Sequence, residues 1–287
     1  MVIGILLVVL AAVASGAGSV LESQGAKAAA RGGPSHAVPF SQLLRRPRYV
    51  VGLVVDLTGF IAAAAAMQYL PLFMVQAGVA SSVGVTAVLA AVLGARLPRQ
   101  SVIALVGMLA GLVLLAISAR DEPPIELAEI WRWTLVVAVI PTAGIAALAK
   151  RLPAGRPRAI TLSLAAGLGF TWVAVAARTL DAPHAWWLYL IDPTFLAIAL
   201  NGVLATTAFG AALEHGSVTL VSAVNYATET VLPSAIGLSF LGDRVREGFG
   251  GIATVGFVLA VAGALSLAGL SARIAVPTRA VTAAPSV

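Results

Sequence analysis

Long uninterrupted apolar runs dominate the chain, rather than the alternation of period 3.6 or 2 that marks a half-buried surface. Nine can be marked, over 2–21, 49–67, 70–94, 102–119, 130–149, 159–177, 194–213, 218–241 and 252–270. They are close to the ~20 residues a helix needs to cross a bilayer core. Inside lipid every backbone donor and acceptor must find a partner within the segment, so the runs are expected to be helices. The strands of a membrane β-barrel would alternate and be about half as long. Polar stretches separate the runs, the longest over 21–48, and a tail from 272 with Pro277 and Pro285 reads as disordered. The expected class is all-α, a polytopic membrane protein of about nine transmembrane helices.

Composition agrees. Of 287 residues, 60% are hydrophobic and 10% charged, with a mean hydropathy of +0.98, where a soluble domain carries roughly a quarter charged residues. There is no cysteine, which removes disulfides, thiolate metal sites and a cysteine nucleophile. His36, His184 and His215 lie far apart, so no histidine metal site and no cofactor is expected.

The net charge of +6 is not read as a nucleic-acid surface, because of where the cations fall. With the N-terminus outside, Arg120, Arg132, Arg178, Arg244 and Arg246 lie on the outer side and the other thirteen of the 18 on the cytoplasmic side. That is the excess the positive-inside rule requires. Trp131, Trp133, Trp186, Trp187 and Tyr189 gather at the same outer interface, as an aromatic belt does. The first run resembles a secretory signal in length, but its first cation, Lys27, follows the apolar stretch instead of preceding it. It is read as an uncleaved first helix in a plasma or inner membrane, with the C-terminus cytoplasmic.

Pairs of runs resemble each other. The third and eighth end in Leu93-Gly94-Ala95-Arg96 and Leu241-Gly242-Asp243-Arg244, and the fourth and ninth close alike around Ala110-Gly111 and Ala262-Gly263. Short links come after the second run, at Gln68-Tyr69, and the seventh, at Glu214-His215-Gly216. Ser15-Gly16-Ala17-Gly18 in run one and Ala166-Gly167-Leu168-Gly169 in run six add a weaker match in the right order. Runs one to four thus pair with six to nine, and run five is a linker. Four crossings return the chain to its starting side, and a fifth reverses the direction of the later runs, so the second repeat is inverted. The expected organisation is a four-helix repeat over 1–120, a linker helix over 130–150, an inverted four-helix repeat over 157–271 and a cytoplasmic tail over 272–287. Inverted repeats about a shared site are common in secondary transporters. Ordinary likeness between alanine-rich helices is the alternative reading.

The run Glu229-Thr230-Val231-Leu232-Pro233, with Phe240-Leu241-Gly242-Asp243 and then Gly251, Gly256 and Gly263, resembles the closing half of drug/metabolite transporter superfamily proteins of the EamA type. In those a Pro-bearing helix ends in Leu-Gly-Glu and leads into a glycine-rich last helix. The four-helix first half is similar to their nine-helix NIPA-like branch. Asp243 stands here where that pattern has Glu, and Ala95 stands at the first-half equivalent. The resemblance implies a transporter fold. The magnesium associated with the NIPA-like branch does not carry over, because the runs hold no cluster of carboxylates to cage that ion.

An ionisable side chain at the bilayer centre costs ~2.5–3.5 kcal/mol on insertion scales, so few are kept without a use. Glu229 lies near the middle of run eight, and Ser222, Asn225 and Glu229 at i, i+3, i+7 share one helical face, flanked by Tyr226 and Thr228. Pro233 removes the backbone donor that would bond the Glu229 carbonyl. This face is expected to line a cavity in which Glu229 binds a proton, a cation or an amine; a protonated Glu bonded to a neighbouring helix is the alternative. Asp56, beside Thr58 in run two, is either a second cavity carboxylate or a partner of the Arg45/Arg46/Arg48 cluster. Glu22, one face with Ser15 and Ser19, reads as a gate or rim residue. Gln76 and Asn201 are neutral groups that could meet substrate, although interhelical hydrogen bonds are the commoner use. Asp192-Pro193 reads as a helix start. Gly107–Gly111 fits a small-xxx-small homodimer face or internal packing.

The function these features imply is secondary transport of a small metabolite, amine or drug by alternating access, coupled to an ion or proton. Flipping of a lipid-linked group is a second reading, and a membrane scaffold or accessory subunit that moves nothing is a third. No nucleophile–base pair or phosphate loop appears, so an enzyme is not expected.

Overall fold

The computed structural model describes residues 2–30, 45–92, 98–120, 127–180 and 192–274. In these the chain forms the helices α1 (Val2–Ala30), α2 (Pro47–Ala66), α3 (Leu72–Ala80), α4 (Ser82–Val92), α5 (Arg99–Ser118), α6 (Glu129–Val137), α7 (Val139–Ala149), α8 (Arg156–Arg178), α9 (Pro193–His215), α10 (Val218–Phe240) and α11 (Gly250–Ile274). Eight segments, counting α3 with α4 and α6 with α7, are long and apolar enough to cross a membrane. This is the architecture of a polytopic helical membrane protein. At 23 residues α10 has the length as well. It is not among those eight, because Asn225, Tyr226, Thr228, Glu229 and Thr230 interrupt its apolar run.

Helix ends follow local chemistry. Asp192 caps α9, accepting from the Thr194 N–H at 2.7 Å, with Pro193 in the first turn, as its sequence predicts. Arg158 donates to the carbonyls of Ala149, Lys150 and Leu152 at 3.1, 3.1 and 2.6 Å, satisfying acceptors left open at the end of α7.

Four boundaries differ from the sequence reading; one is the linker run over 130–149, which a turn at Ala138 divides into α6 and α7. The run over 70–94 is not one continuous helix: a turn at Ser81 divides it, where the Ser81 hydroxyl donates to the Gly78 carbonyl at 2.5 Å. The first helix does not stop at 21 but continues to Ala30, through a stretch in which alanine, glutamate, glutamine and lysine, all strong helix formers, outnumber Ser23 and Gly25. The last helix reaches Ile274, three residues into the expected tail; residues 275–287 lie outside the described residues, as do Trp186, Trp187 and Tyr189 and the Leu93–Leu97 end of the third run.

The bundle is organised by a few close pairs: α1 on α2, α8 on α9, α5 on α11, α8 on α10, α1 on α4, and α10 on α3. Small residues make this possible. Ala62, Ala66, Ala77, Ala176 and Ala197 fill the core beside Leu70, Leu72, Val75 and Leu115, and such surfaces let helix backbones approach closely. Gly111 is spent on this packing: a Cβ there would lie 2.5 Å from the Ala260 nitrogen of α11. Gly107 has open space beside it, so of the Gly107–Gly111 pair one is an internal contact and only the other faces outward. The outward faces carry Val106, Leu109 and Val113 of α5 and Val255 and Val258 of α11, the surface that lipid solvates.

Candidate functional site

Four helices, α2, α3, α8 and α10, surround a cavity of about 130 Å³. Its wall is mostly apolar, with Phe60 and Met67 from α2 and its end, and Phe170 and Ala177 from α8. Two polar side chains reach it: Gln76 of α3 and Glu229 of α10. Glu229, expected from the sequence to face a cavity, and Gln76, an auxiliary group by sequence, line the same space.

Asn225, one turn before Glu229, supports the carboxylate. Its Nδ2 donates to Glu229 Oε2 at 2.9 Å, a bond an ionised carboxylate can only accept. The amide is 3% exposed, and its Oδ1 finds no hydrogen-bond partner among the described residues. A buried unsatisfied carbonyl is costly and asks for an explanation. Here it leaves an open acceptor beside an acid. α8 holds this part of α10 in place: a Cβ on Gly167 would lie 2.5 Å from the Thr228 Cβ and 3.0 Å from the Asn225 carbonyl oxygen. Only glycine admits so close an approach at the level of the site.

The other sequence-predicted residues lie elsewhere. Ser222 is half-buried and outside the cavity wall. Tyr226 and Thr230 turn to a small gap against α11, beside Ala80 and Ala264, although Tyr226 remains within electrostatic reach of both Glu229 and Asp56. Asp56 does not line the cavity. It faces α1, where Ser15 lies close by and Gly18 packs against its Cβ. Glu22 lies along the same α1–α2 seam, packed on Gly52 and close enough to Asp56 for the two acids to interact. Asn201 is fully buried and ties α9 to α6, its Nδ2 donating to the Ala197 and Leu135 carbonyls at 3.0 and 3.3 Å; it is an interhelical bond, the commoner use.

Sequence reasoning misses the largest polar cluster. Arg178, by sequence only an end-of-run cation, is 1% exposed, and its Nη2 lies 2.9 Å from Asp243 Oδ1. The other Asp243 oxygen accepts the Leu72 N–H at 2.6 Å, at the first turn of α3. Arg178 Nη1 donates to the Met67 carbonyl, and Gln68 Nε2 donates to the Ala177 and Leu180 carbonyls at 3.0 and 3.1 Å. The signal that could have found it is an arginine ending an otherwise uncharged apolar run, with one acid at the end of another. Compared with family models, curated proteins and solved structures, this chain matches none.

Proposed function

We propose that this chain is a secondary transporter that carries a small cationic solute, with Glu229 as the group that binds it in exchange for a proton. The observation that carries the proposal is the cavity itself: a carboxylate and an amide are the polar groups of an otherwise apolar pocket within a membrane bundle. At ~30 Å³ per water, about 130 Å³ has room for about four waters or a solute of a few heavy atoms. Glu229 accepts, and so can the Gln76 Oε1 on the same wall, so the matching ligand donates. The aromatic faces of Phe60 and Phe170 suit a desolvated cation. A small alkylammonium ion meets all three conditions.

Helix pairing supports the inverted-repeat reading. Let α1, α2, α3–α4 and α5 correspond to α8, α9, α10 and α11. Then α1 on α2 maps to α8 on α9, α1 on α3–α4 maps to α8 on α10, and the α5–α11 and α3–α10 contacts map onto themselves. Two halves so related can rock about a site between them and expose it to each side in turn. In this reading the molecule has nine spans with α10 among them, an outside N-terminus and a kinship with drug/metabolite transporters that rests on the Glu229–Asp243 motif. An apolar groove of about 390 Å³ among Trp131, Trp172 and Phe240 favours a second reading, the flipping of a lipid-linked group.

The test is proton release from purified protein on adding small alkylammonium ions and neutral solutes of matched size. The wild type is expected to release protons with the ammonium ions only, and Glu229→Gln to release none. Equal release from the folded variant would remove Glu229 from the mechanism.

A further inference from the structure

The cavity has a ceiling, and the ceiling is made of the same residues that hold the Arg178 cluster. Met67 lines the cavity and its carbonyl accepts from Arg178; Ala177 lines the cavity and its carbonyl accepts from Gln68. Arg178 Nη2 and Asp243 Oδ1, 2.9 Å apart and both buried, close the space beyond, and Asp243 also holds the first turn of α3 through the Leu72 N–H. We propose that this cluster is the gate between the Glu229 cavity and the side of the membrane on which Arg178 lies, the outer side when the N-terminus is outside. The structure is then the state closed on that side, and the bonds that the ion pair holds to the α2–α3 corner must part for Glu229 to be reached from there. This inference rests on the transport reading.

Three observations separate a gate from an ordinary staple. The bonds from the cluster to the α2–α3 corner join residues of the two proposed halves: Arg178 to Met67, Gln68 to Ala177 and Leu180, and Asp243 to Leu72. Rocking of one half against the other breaks them together. Next, α2 and α8 have little contact elsewhere, so parting the cluster leaves no broad apolar surface to separate between those two helices. Last, a buried ion pair is a poor way to gain stability, because well-packed apolar side chains of similar volume do as well or better. What the pair does hold is a few directional bonds to the other half, with two discrete arrangements, made or parted, and bistable contacts of this kind are what switching transitions use.

The chain has no cysteine, so one can be introduced as a reporter without removing others. Ala63→Cys places a thiol on the buried cavity wall of α2. Its rate of reaction with a membrane-impermeant maleimide is measured in sealed vesicles of known sidedness, with reagent on the Arg178 side. Asp243→Asn is then added, which removes the charge and keeps an oxygen for the Leu72 N–H. The rate is expected to rise about tenfold or more, as the population moves toward the open form, while labelling from the opposite side does not rise. Arg178→Lys, which keeps the charge but cannot make both bonds of the fork, is read in the same way if Asp243→Asn does not give a folded protein, and a smaller rise is expected. A rate unchanged in a variant with native melting behaviour would make the cluster a structural staple and overturn the proposal. The labelling needs no substrate, so its outcome is independent of proton release. Faster labelling in a protein that releases no protons would leave a gated cavity and refute the transported cation instead.

Discussion

Two polar clusters sit within the same four-helix neighbourhood and are built in opposite ways. Around Arg178 and Asp243 the charges neutralise each other, and further bonds go to the Met67 carbonyl and the Leu72 N–H. Around Glu229 one amide donates to the carboxylate, its own oxygen stays without a partner among the described residues, and a cavity opens alongside. A satisfied buried polar network rigidifies, while an unsatisfied buried group is costly and calls for an explanation such as a bound water or ion. The first cluster carries its own counter-charge. The second has a carboxylate with only an amide beside it among the described residues, and that difference supports the proposal of one as gate and the other as binding site.

The contrast can be pressed hardest by removing one partner of the satisfied cluster. Arg178→Met leaves the buried Asp243 carboxylate without its counter-charge, and thermal unfolding in detergent should show a loss of ~3–5 kcal/mol. Adding Asp243→Leu should recover a good part of that loss, because no charge then remains buried, although the Leu72 N–H still lacks an acceptor. If the double variant is as unstable as the single one, the cluster acts through that N–H and not through the ion pair.

A smaller effect is expected where α8 backs the site. Gly167→Val would drive a side chain into Thr228 and the Asn225 carbonyl, at a cost of ~1–3 kcal/mol for overpacking. It should also weaken cation-dependent proton release by displacing the turn that carries Asn225 and Glu229. Stability lost with release intact would mean that the position of α10 is not what sets the site.

The smallest effect belongs to a polar group outside both clusters. Asn201→Leu breaks the bonds to Leu135 and Ala197, and interhelical bonds of this type are worth ~0.6 kcal/mol on average. Proton release should be unchanged. A loss of release would tie α9 and α6 to the site and widen the functional region beyond the four helices around the cavity.

Patterning along the chain by itself determines the class of protein and singles out one acid. Long apolar runs have one stable solution in lipid, and a mid-run carboxylate beside Asn225 and Pro233 stands out because its surroundings are so uniform. Helix starts such as Asp192-Pro193 are legible for the same local reason. Tertiary structure decides what each polar group meets. Asp56 and Gln76 read alike as polar residues within apolar runs, yet Asp56 turns to Ser15 on α1 while Gln76 faces the cavity. Arg178 and Asp243 are 65 residues apart, and along the chain they are a rim charge and a motif variant with nothing to connect them. Only the packing of α8 against α10, through glycines and alanines whose spacing is compatible with many neighbours, brings them to 2.9 Å. Burial in lipid follows from a segment's own composition, but partnership depends on which faces meet, and alanine-rich helices leave that choice to the whole bundle.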